Sequence, residues 1–255
     1  MADRPIIFSA PMIAALLAGR KTQTRRILKP QPELMPGVSD RFHLSNAHGG
    51  IVNATEGEVR EHGADFSRFA IGDRLYVREN HALVPSSAYR MSEGVQQTIN
   101  PTDRDLAAIY AAGWDRSKPR WRPSIHMPRW ASRLTLLVTD VRVERLQEIS
   151  AKDALAEGIY EIREPEKDGW RHFAASAGEK LTRPTPEKAF AELWRSINGP
   201  ESWDANPWVV AVTFKVIRAN IDAPEDHPRS PLAEAPSRTR SAQSSLEKPD
   251  DRHHD

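Results

Sequence analysis

The sequence predicts a mixed α and β protein, in which a small barrel or curled sheet carries helices packed on its outside. Short apolar runs of strand type recur at wide spacing, and amphipathic stretches of helical type stand between them. No internal repeat is visible in the chain. Because each such element must bury its apolar face against another element, this mixture favours a layered α+β fold around one core.

The first elements lie at the N-terminus. Residues 5–8 form an apolar run and predict a strand. Ser9 can cap a helix after it, whose apolar residues share one face, and Gly19 stands where that helix should end. Residues 75–78 alternate in polarity after the turn at residues 72–73, which predicts another strand.

The second half of the chain carries clearer signals. Residues 134–143 alternate as a strand does, with a break near residues 139–140. Ser150 can cap a short helix that runs to Glu157 and ends at Gly158, and residues 185–186 open a further amphipathic helix. Residues 208–217 are nearly all apolar or β-branched and predict the final strand.

The elements suggest one domain over residues 1–218. Residues 85–130 and 163–184 lack periodicity and are interpreted as loop insertions, of the kind that often form lids or binding loops. Residues 219–255 are predicted to be a disordered C-terminal tail. From residue 222 onward the segment has no aromatic side chain and is dominated by Pro, Ser and charged residues, so it can bury little apolar surface.

Composition limits the class of protein. The chain has 36 Lys and Arg against 35 Asp and Glu, a net charge of +1, so any basic surface must be local. It has no cysteine, which excludes disulfides, thiol catalysis and Cys-ligated zinc. The N-terminus has no signal-peptide pattern, and the longest apolar run is too short to cross a membrane. We therefore expect a cytoplasmic protein without membrane contact, metal or cofactor.

Residues 19–26 are the first candidate functional segment. They hold four cations, two hydroxyls and an amide, without an acid, directly after a predicted helix end. Such a cluster favours phosphate or a polar ring as a ligand. A solvated basic turn is the alternative interpretation of the same residues.

Four segments in this order resemble the signature of the ASCH domain, a relative of the PUA RNA-binding domain. The Gly-x-Lys-x-x-x-Arg pattern of that family is matched by Gly19, Lys21 and Arg25. The other segments are residues 71–79, residues 149–159 and the last strand through Phe214. The long form of the chain, with residues 127–130 and 206–208, is similar to ASCH proteins common in bacteriophages and prophages.

The resemblance implies a PUA-like barrel with a cleft beside the basic segment. Some small bacterial members are amidohydrolases that remove the acetyl group from N4-acetylcytidine with a Lys, a Thr and a Glu, which correspond here to Lys21, Thr24 and Glu157. Thr24 would supply the hydroxyl, and Lys21 would take its proton if burial lowers the lysine pKa. Residues three apart in a strand face opposite sides, so the pair requires a turn between them.

A second candidate segment lies at residues 114–133, which hold three of the seven tryptophans among several arginines. Aromatic rings between cations can stack bases and contact phosphates, although the same rings can simply pack the loop onto the core. The substrate- or nucleic-acid-binding candidates from all segments are Arg20, Arg25, Arg26, Arg78, Glu79, Trp121, Arg129, Trp130 and Asn206.

These patterns favour a protein that binds RNA, another nucleic acid or a nucleotide in a basic cleft around residues 19–26. The alternative is an amidohydrolase that deacylates a modified cytidine with Lys21, Thr24 and Glu157. A nuclease ranks lower because no metal-binding or paired-histidine pattern is present, and a purely structural role stays open. The sequence makes no prediction of oligomeric state.

Overall fold

The computed structural model describes residues 1–37, 41–45, 51–116, 119–163, 171–175 and 183–223. In chain order its strands and helices are β1 Asp3–Ile7, α1 Ala10–Leu17, β2 Gln23–Ile27, β3 Glu33–Leu34, β4 Arg41–Ser45, β5 Ile51–Thr55, α2 Glu56–His62, β6 Arg74–Arg78, β7 His81–Pro85, β8 Thr98–Ile99, β9 Leu106–Tyr110, β10 Thr135–Arg145, α3 Ala151–Ala156, β11 Tyr160–Arg163, β12 Arg171–Ala174, α4 Pro186–Asn198 and β13 Trp208–Ile217. The predicted mixture of helices and strands is confirmed.

The main sheet has five strands in the order β1-β6-β10-β13-β2. β1 and β6 are parallel, and the other neighbours are antiparallel. The pairing of β10 with β13 shifts register between Val138 and Asp140, which is where the alternation of the sequence breaks. An extra residue in one strand bends and twists it, so this irregularity curves the longest pair of the sheet.

This sheet does not close into the small barrel that the sequence predicted. β1 and β2 are its two edge strands in the described residues, and no strand pairing joins them. One side chain does reach across, since Arg26 Nη2 on β2 donates a hydrogen bond of 2.9 Å to the carbonyl oxygen of Ile7 on β1. The two edge strands β1 and β2 therefore lie close enough for one arginine side chain to bridge them.

The sheet is packed on both faces. Trp208, Val210 and Val212 of β13 belong to the main core cluster, whereas Val209 belongs to the cluster formed with α3 and α4. Successive side chains of a strand point to opposite faces. A strand covered on both sides needs apolar residues at nearly every position, which explains the continuous apolar run of β13.

Residues 81–131 form a second small unit of structure instead of an irregular insertion. β7, β9 and β8 make a three-stranded sheet, and Ala108, Tyr110, Met127 and Ala131 form its buried cluster. The short apolar run of β9 gave no periodicity, which is why the sequence interpretation missed it. The second predicted insertion begins at the last residue of β11 and contains β12, its antiparallel partner. Residues 164–170 and 176–182 of this insertion lie outside the described residues.

A third sheet, β3-β4-β5, and the helix α2 were also missed. α2 begins with a capping box in which Thr55 and Glu58 bond each other's backbone N–H groups. That Thr-x-x-Glu spacing is a recognisable helix start in the sequence.

The packed chain continues beyond residue 218, where the sequence placed the start of the tail. Asn220 Nδ2 donates to the carbonyl oxygens of Arg129, Trp130 and Ser132, at 2.8–3.0 Å, and Ile221 is buried. The chain divides into the units Met1–Ala223 and Pro224–Asp255. The second unit, with most of the predicted tail, lies outside the described residues.

Candidate functional site

The basic segment begins where α1 ends. Gly19 adopts a left-handed φ of 71°, and the backbone N–H groups of Arg20 and Lys21 both donate to the carbonyl oxygen of Ala15. Thr22 N then donates to Ala156 O at the end of α3. These bonds hold the segment between two helix ends, so Lys21 points inward before β2 starts.

α3 places Glu157 beside that lysine. Ser150 caps the helix by accepting from Asp153 N, as the sequence predicted, and Glu157 is its C-cap residue. Gly158 follows with φ 105°, and a Cβ built there would lie 3.0 Å from Ala15 Cβ and 3.4 Å from Lys21 Cβ. A glycine is therefore required for α3 to approach α1 closely enough to bring Glu157 to Lys21.

Lys21 and Glu157 form a buried ion pair. Lys21 Nζ donates to Glu157 Oε2 at 2.7 Å and to the Glu157 carbonyl oxygen at 2.8 Å. Lys21 is 0% exposed and Glu157 is 4% exposed. Burial lowers the pKa of the Lys21 ammonium, the bond to Glu157 opposes that change, and the nearby cations Arg26 and Arg25 add to the lowering.

Arg25 takes the other oxygen of the same carboxylate. Its Nη1 lies 3.3 Å from Glu157 Oε1 and donates to Gln23 Oε1 at 2.6 Å. Its other nitrogens bond Glu144 Oε1 at 2.9 and 2.5 Å and Asp153 Oδ2 at 3.2 Å. The guanidinium is 2% exposed, so its charge is neutralised inside the protein and does not reach solvent.

Side chains from both faces of β2 lie near the Lys21–Glu157 pair. Arg25 packs towards Phe190 of α4, whereas Arg26, on the opposite face with Thr24, lies over the Phe8 ring at 5.2 Å. Lys21 Nζ also lies over the Phe8 ring, at 5.6 Å. Lys21 precedes the strand, so the alternation of faces along β2 does not apply to it, and its amine contacts the same Phe8 ring as Arg26 does.

A narrow cleft of about 50 Å³ opens beside these residues. Thr24 and Glu157 line it, together with Arg25 and Arg26 and one face of α4. Thr24 is 1% exposed, and its hydroxyl makes no hydrogen bond within the described residues. A polar group in that state is available to a ligand.

Two of the predicted binding residues are tied to other parts of the fold. Glu79 is buried and accepts two bonds of 2.8 and 2.9 Å from Arg133, whose guanidinium lies over the Tyr110 ring. Burial raises the pKa of Glu79, and Arg133 opposes the rise. Arg78 donates to Ile125 O. These contacts anchor the small β7-β9-β8 sheet to β6.

Four more candidates lie away from the cleft. Arg129 is paired with Asp3 and Asp222, and Trp130 packs against the cluster around Tyr110. Asn206 adopts φ 42° and accepts from Gln147 N, as a turn-forming amide does. Trp121 is partly exposed and contacts Trp114 edge to face, with ring centroids 5.5 Å apart.

Arg20, near the start of the basic segment at residues 19–26, is exposed to solvent. Its Nη1 donates to Gly158 O at 2.9 Å, and its guanidinium lies 4.7 Å from the Tyr160 ring centre. Of the predicted set, the structure therefore brings together Arg20, Lys21, Thr24, Arg25, Arg26 and Glu157.

The sequence interpretation missed three members of the site. Asp153 stands four residues before Glu157, a spacing that places both acids on one helical face and could have indicated a shared partner. Glu144 meets Arg25 across 119 residues of chain and carries no local signal. Trp194 lines the cleft from α4, and the sequence indicated only that this helix is amphipathic.

No group of three potential metal-binding side chains occurs in the described residues. Among those same residues, no helix has the combination of length and apolar character needed to cross a bilayer. The chain matches no model of a known protein family, no curated protein and no solved structure.

Proposed function

We propose that this protein hydrolyses the acyl amide of a small modified nucleoside such as N4-acetylcytidine, at the site formed by Lys21, Thr24 and Glu157. The observation that carries the proposal is the buried Lys21–Glu157 pair, 2.7 Å apart, whose Glu157 lines a cleft together with Thr24. The resemblance to ASCH and PUA-like proteins supports the choice of substrate.

The reaction would run in two steps. Thr24 Oγ1 attacks the acyl carbon while its proton passes to the neutral Lys21 amine. The C–N bond then breaks, and Lys21 returns the proton to the departing exocyclic nitrogen. Water next adds to the acyl–threonine ester, giving its proton to Lys21. The carboxylic acid leaves, and Thr24 regains its proton.

The charges around Lys21 favour this assignment of roles. Glu157 lies between two cations, Lys21 and Arg25, and bonds one with each carboxylate oxygen. A lysine without exposed surface, close to two arginines, loses its proton more easily than a lysine in water. Lys21 is therefore the base, and Glu157 positions it.

The burial of the same cations argues against a polynucleotide held along the basic segment. Lys21 and Arg25 already have acidic partners inside the protein, so their charges are neutralised locally and form no continuous positive surface for phosphates. A site for a small substrate fits this arrangement better than a site for a charged backbone.

Incubation with N4-acetylcytidine, followed by chromatography for cytidine and acetate, tests the proposal. Thr24→Val keeps the shape and removes the hydroxyl, so we expect turnover to fall by about 10²-fold or more. The matched control is Thr22→Val, because Thr22 is an exposed neighbour outside the cleft and should retain turnover. Absence of wild-type turnover, or a fully active Thr24→Val, would overturn the proposal.

Binding of single-stranded RNA is a second candidate, favoured by a different observation. Tyr89, Trp114 and Trp121 form a chain of edge-to-face contacts at 5.2 and 5.5 Å, beside the exposed cations Arg120 and Arg122. Partly exposed rings among cations can stack bases. Fluorescence anisotropy with a labelled oligonucleotide should show binding that weakens with salt and with Trp121→Ala. Salt-independent binding, or none, would reject it.

A further inference from the structure

One wall of the cleft beside Thr24 is a face of α4. Phe190, Leu193, Trp194, Ile197 and Asn198 line it, and their spacing of three and four residues places them one above another on the helix. Met12 and Ile27 also line it. The cleft thus combines these apolar side chains with the polar residues Thr24, Arg26 and Glu157.

The size of the cleft limits what can enter. One water molecule needs about 10–15 Å³ of such space, so about 50 Å³ accommodates a few water molecules or a short alkyl group. A base with its ribose is much larger than this volume. Only one end of a nucleoside substrate can therefore be inserted, and the apolar lining suits an alkyl chain better than a sugar.

α4 also contributes an unused hydrogen-bond donor. The indole nitrogen of Trp194 is buried and has no partner within the described residues, although the ring lines the cleft. An indole N–H can only donate, so it needs an acceptor such as a carbonyl oxygen. A buried donor without a partner is unfavourable, and a ligand that supplies an acceptor removes that penalty.

We propose that this cleft is an acyl pocket, in which the α4 wall holds a short acyl group with its carbonyl at Thr24 and limits its length. The acetyl group or a similar short chain would enter between Leu193 and Thr24, and the nucleoside would stay outside near Arg26 and Asn198. This inference rests on the proposed hydrolase function for its reaction, but binding to the pocket can be measured without turnover.

Binding is tested by nuclear magnetic resonance on the full chain labelled with ¹⁵N. The seven tryptophans give separate indole N–H signals, and Trp194→Phe identifies the one from Trp194. Titration with acetamide should shift that signal, and benzamide at the same concentration should leave it in place. If no amide moves it, or if benzamide moves it as far as acetamide does, the pocket is rejected.

Turnover provides the second measurement. The N4-acetyl, N4-butyryl and N4-benzoyl derivatives of cytidine are compared by kcat/KM, and the wild type should prefer acetyl over benzoyl by about 10-fold or more. Leu193→Ala lengthens the pocket and should shift the preference towards butyryl by a similar factor. Leu34→Ala is the matched control, because Leu34 is exposed and outside the cleft.

The two proposals fail in distinguishable ways. If acetamide shifts the Trp194 signal but no derivative is hydrolysed, the pocket stands and the hydrolase is rejected. If derivatives are hydrolysed but Leu193→Ala leaves the acyl preference unchanged, the hydrolase stands and the pocket is rejected.

Discussion

Lys21 has no exposed surface, and its amine is next to a carboxylate that also bonds an arginine. Desolvation favours the neutral amine, whereas the ion pair favours the charged form. Because Arg25 shares the charge of Glu157, that carboxylate stabilises the ammonium less than it would alone. The chemistry of the site depends on this balance.

The pH dependence of turnover should report how desolvation and the ion pair with Glu157 together set the pKa of Lys21. Only the neutral amine can accept the Thr24 proton, so kcat/KM rises with pH through the pKa of Lys21, which burial places below the ordinary 10.5. Arg26→Gln removes a cation that lowers this pKa. We expect the acid limb of the kcat/KM profile to move to higher pH in that variant.

Arg90→Gln is the control for this measurement, because Arg90 is exposed on the loop after β7 and should leave the profile unchanged. A profile that stays the same in Arg26→Gln, or one that moves to lower pH, contradicts the role of Lys21 as the base.

The short helix α3 positions the acid of the site. Its cap at Ser150 fixes where it begins, and Gly158 lets the chain turn against α1 with a left-handed φ of 105°. An L-residue at such a φ is strained, and its Cβ would contact Ala15. The distance between α3 and α1 thus depends on this glycine.

Gly158→Ala tests that dependence. We expect it to lower the free energy of unfolding by about 1–3 kcal/mol, measured by urea denaturation. It should also reduce turnover under conditions where the variant is fully folded, because α3 must move away and the Lys21–Glu157 distance increases.

Gly57→Ala is the matched comparison. Gly57 lies in α2, has no positive φ, and a Cβ there would have no atom closer than Thr55 Oγ1 at 3.9 Å. Alanine is a better helix former than glycine, so this change should leave stability equal or higher and turnover unchanged. Equal stability of the two variants would mean that Gly158 does not control the packing of α3.

The described part of the chain is organised around a sheet with apolar packing on both faces, and it has three smaller sheets. The site lies at the edge strand β2, where side chains from both faces can reach the end of α3. The buried Glu79–Arg133 pair links the β7-β9-β8 sheet to the main one. With a net charge of only +1, the arginines act mainly through such local pairs.

Much of the secondary structure could be predicted from local patterns. α1, α3 and α4 begin at residues 10, 151 and 186, directly after Ser9, Ser150 and Thr185. The side chains of Ser150 and Thr185 accept a capping hydrogen bond, whereas that of Ser9 does not. β10 and β13 follow from alternation and from a continuous apolar run. Such signals lie within a few residues of the element they specify, so a single sequence contains them.

The catalytic candidates were predicted from the resemblance alone, and only the packed chain gives their geometry. Lys21 and Glu157 are 136 residues apart, and their contact exists because α3 docks on the end of α1 at Gly158. The burial of Arg25 against Glu144 and Asp153, and the open edge between β1 and β2, likewise depend on which distant segments pair. The sequence specifies residue types and local elements, whereas long-range packing determines which charges are buried and which polar groups are left for a ligand.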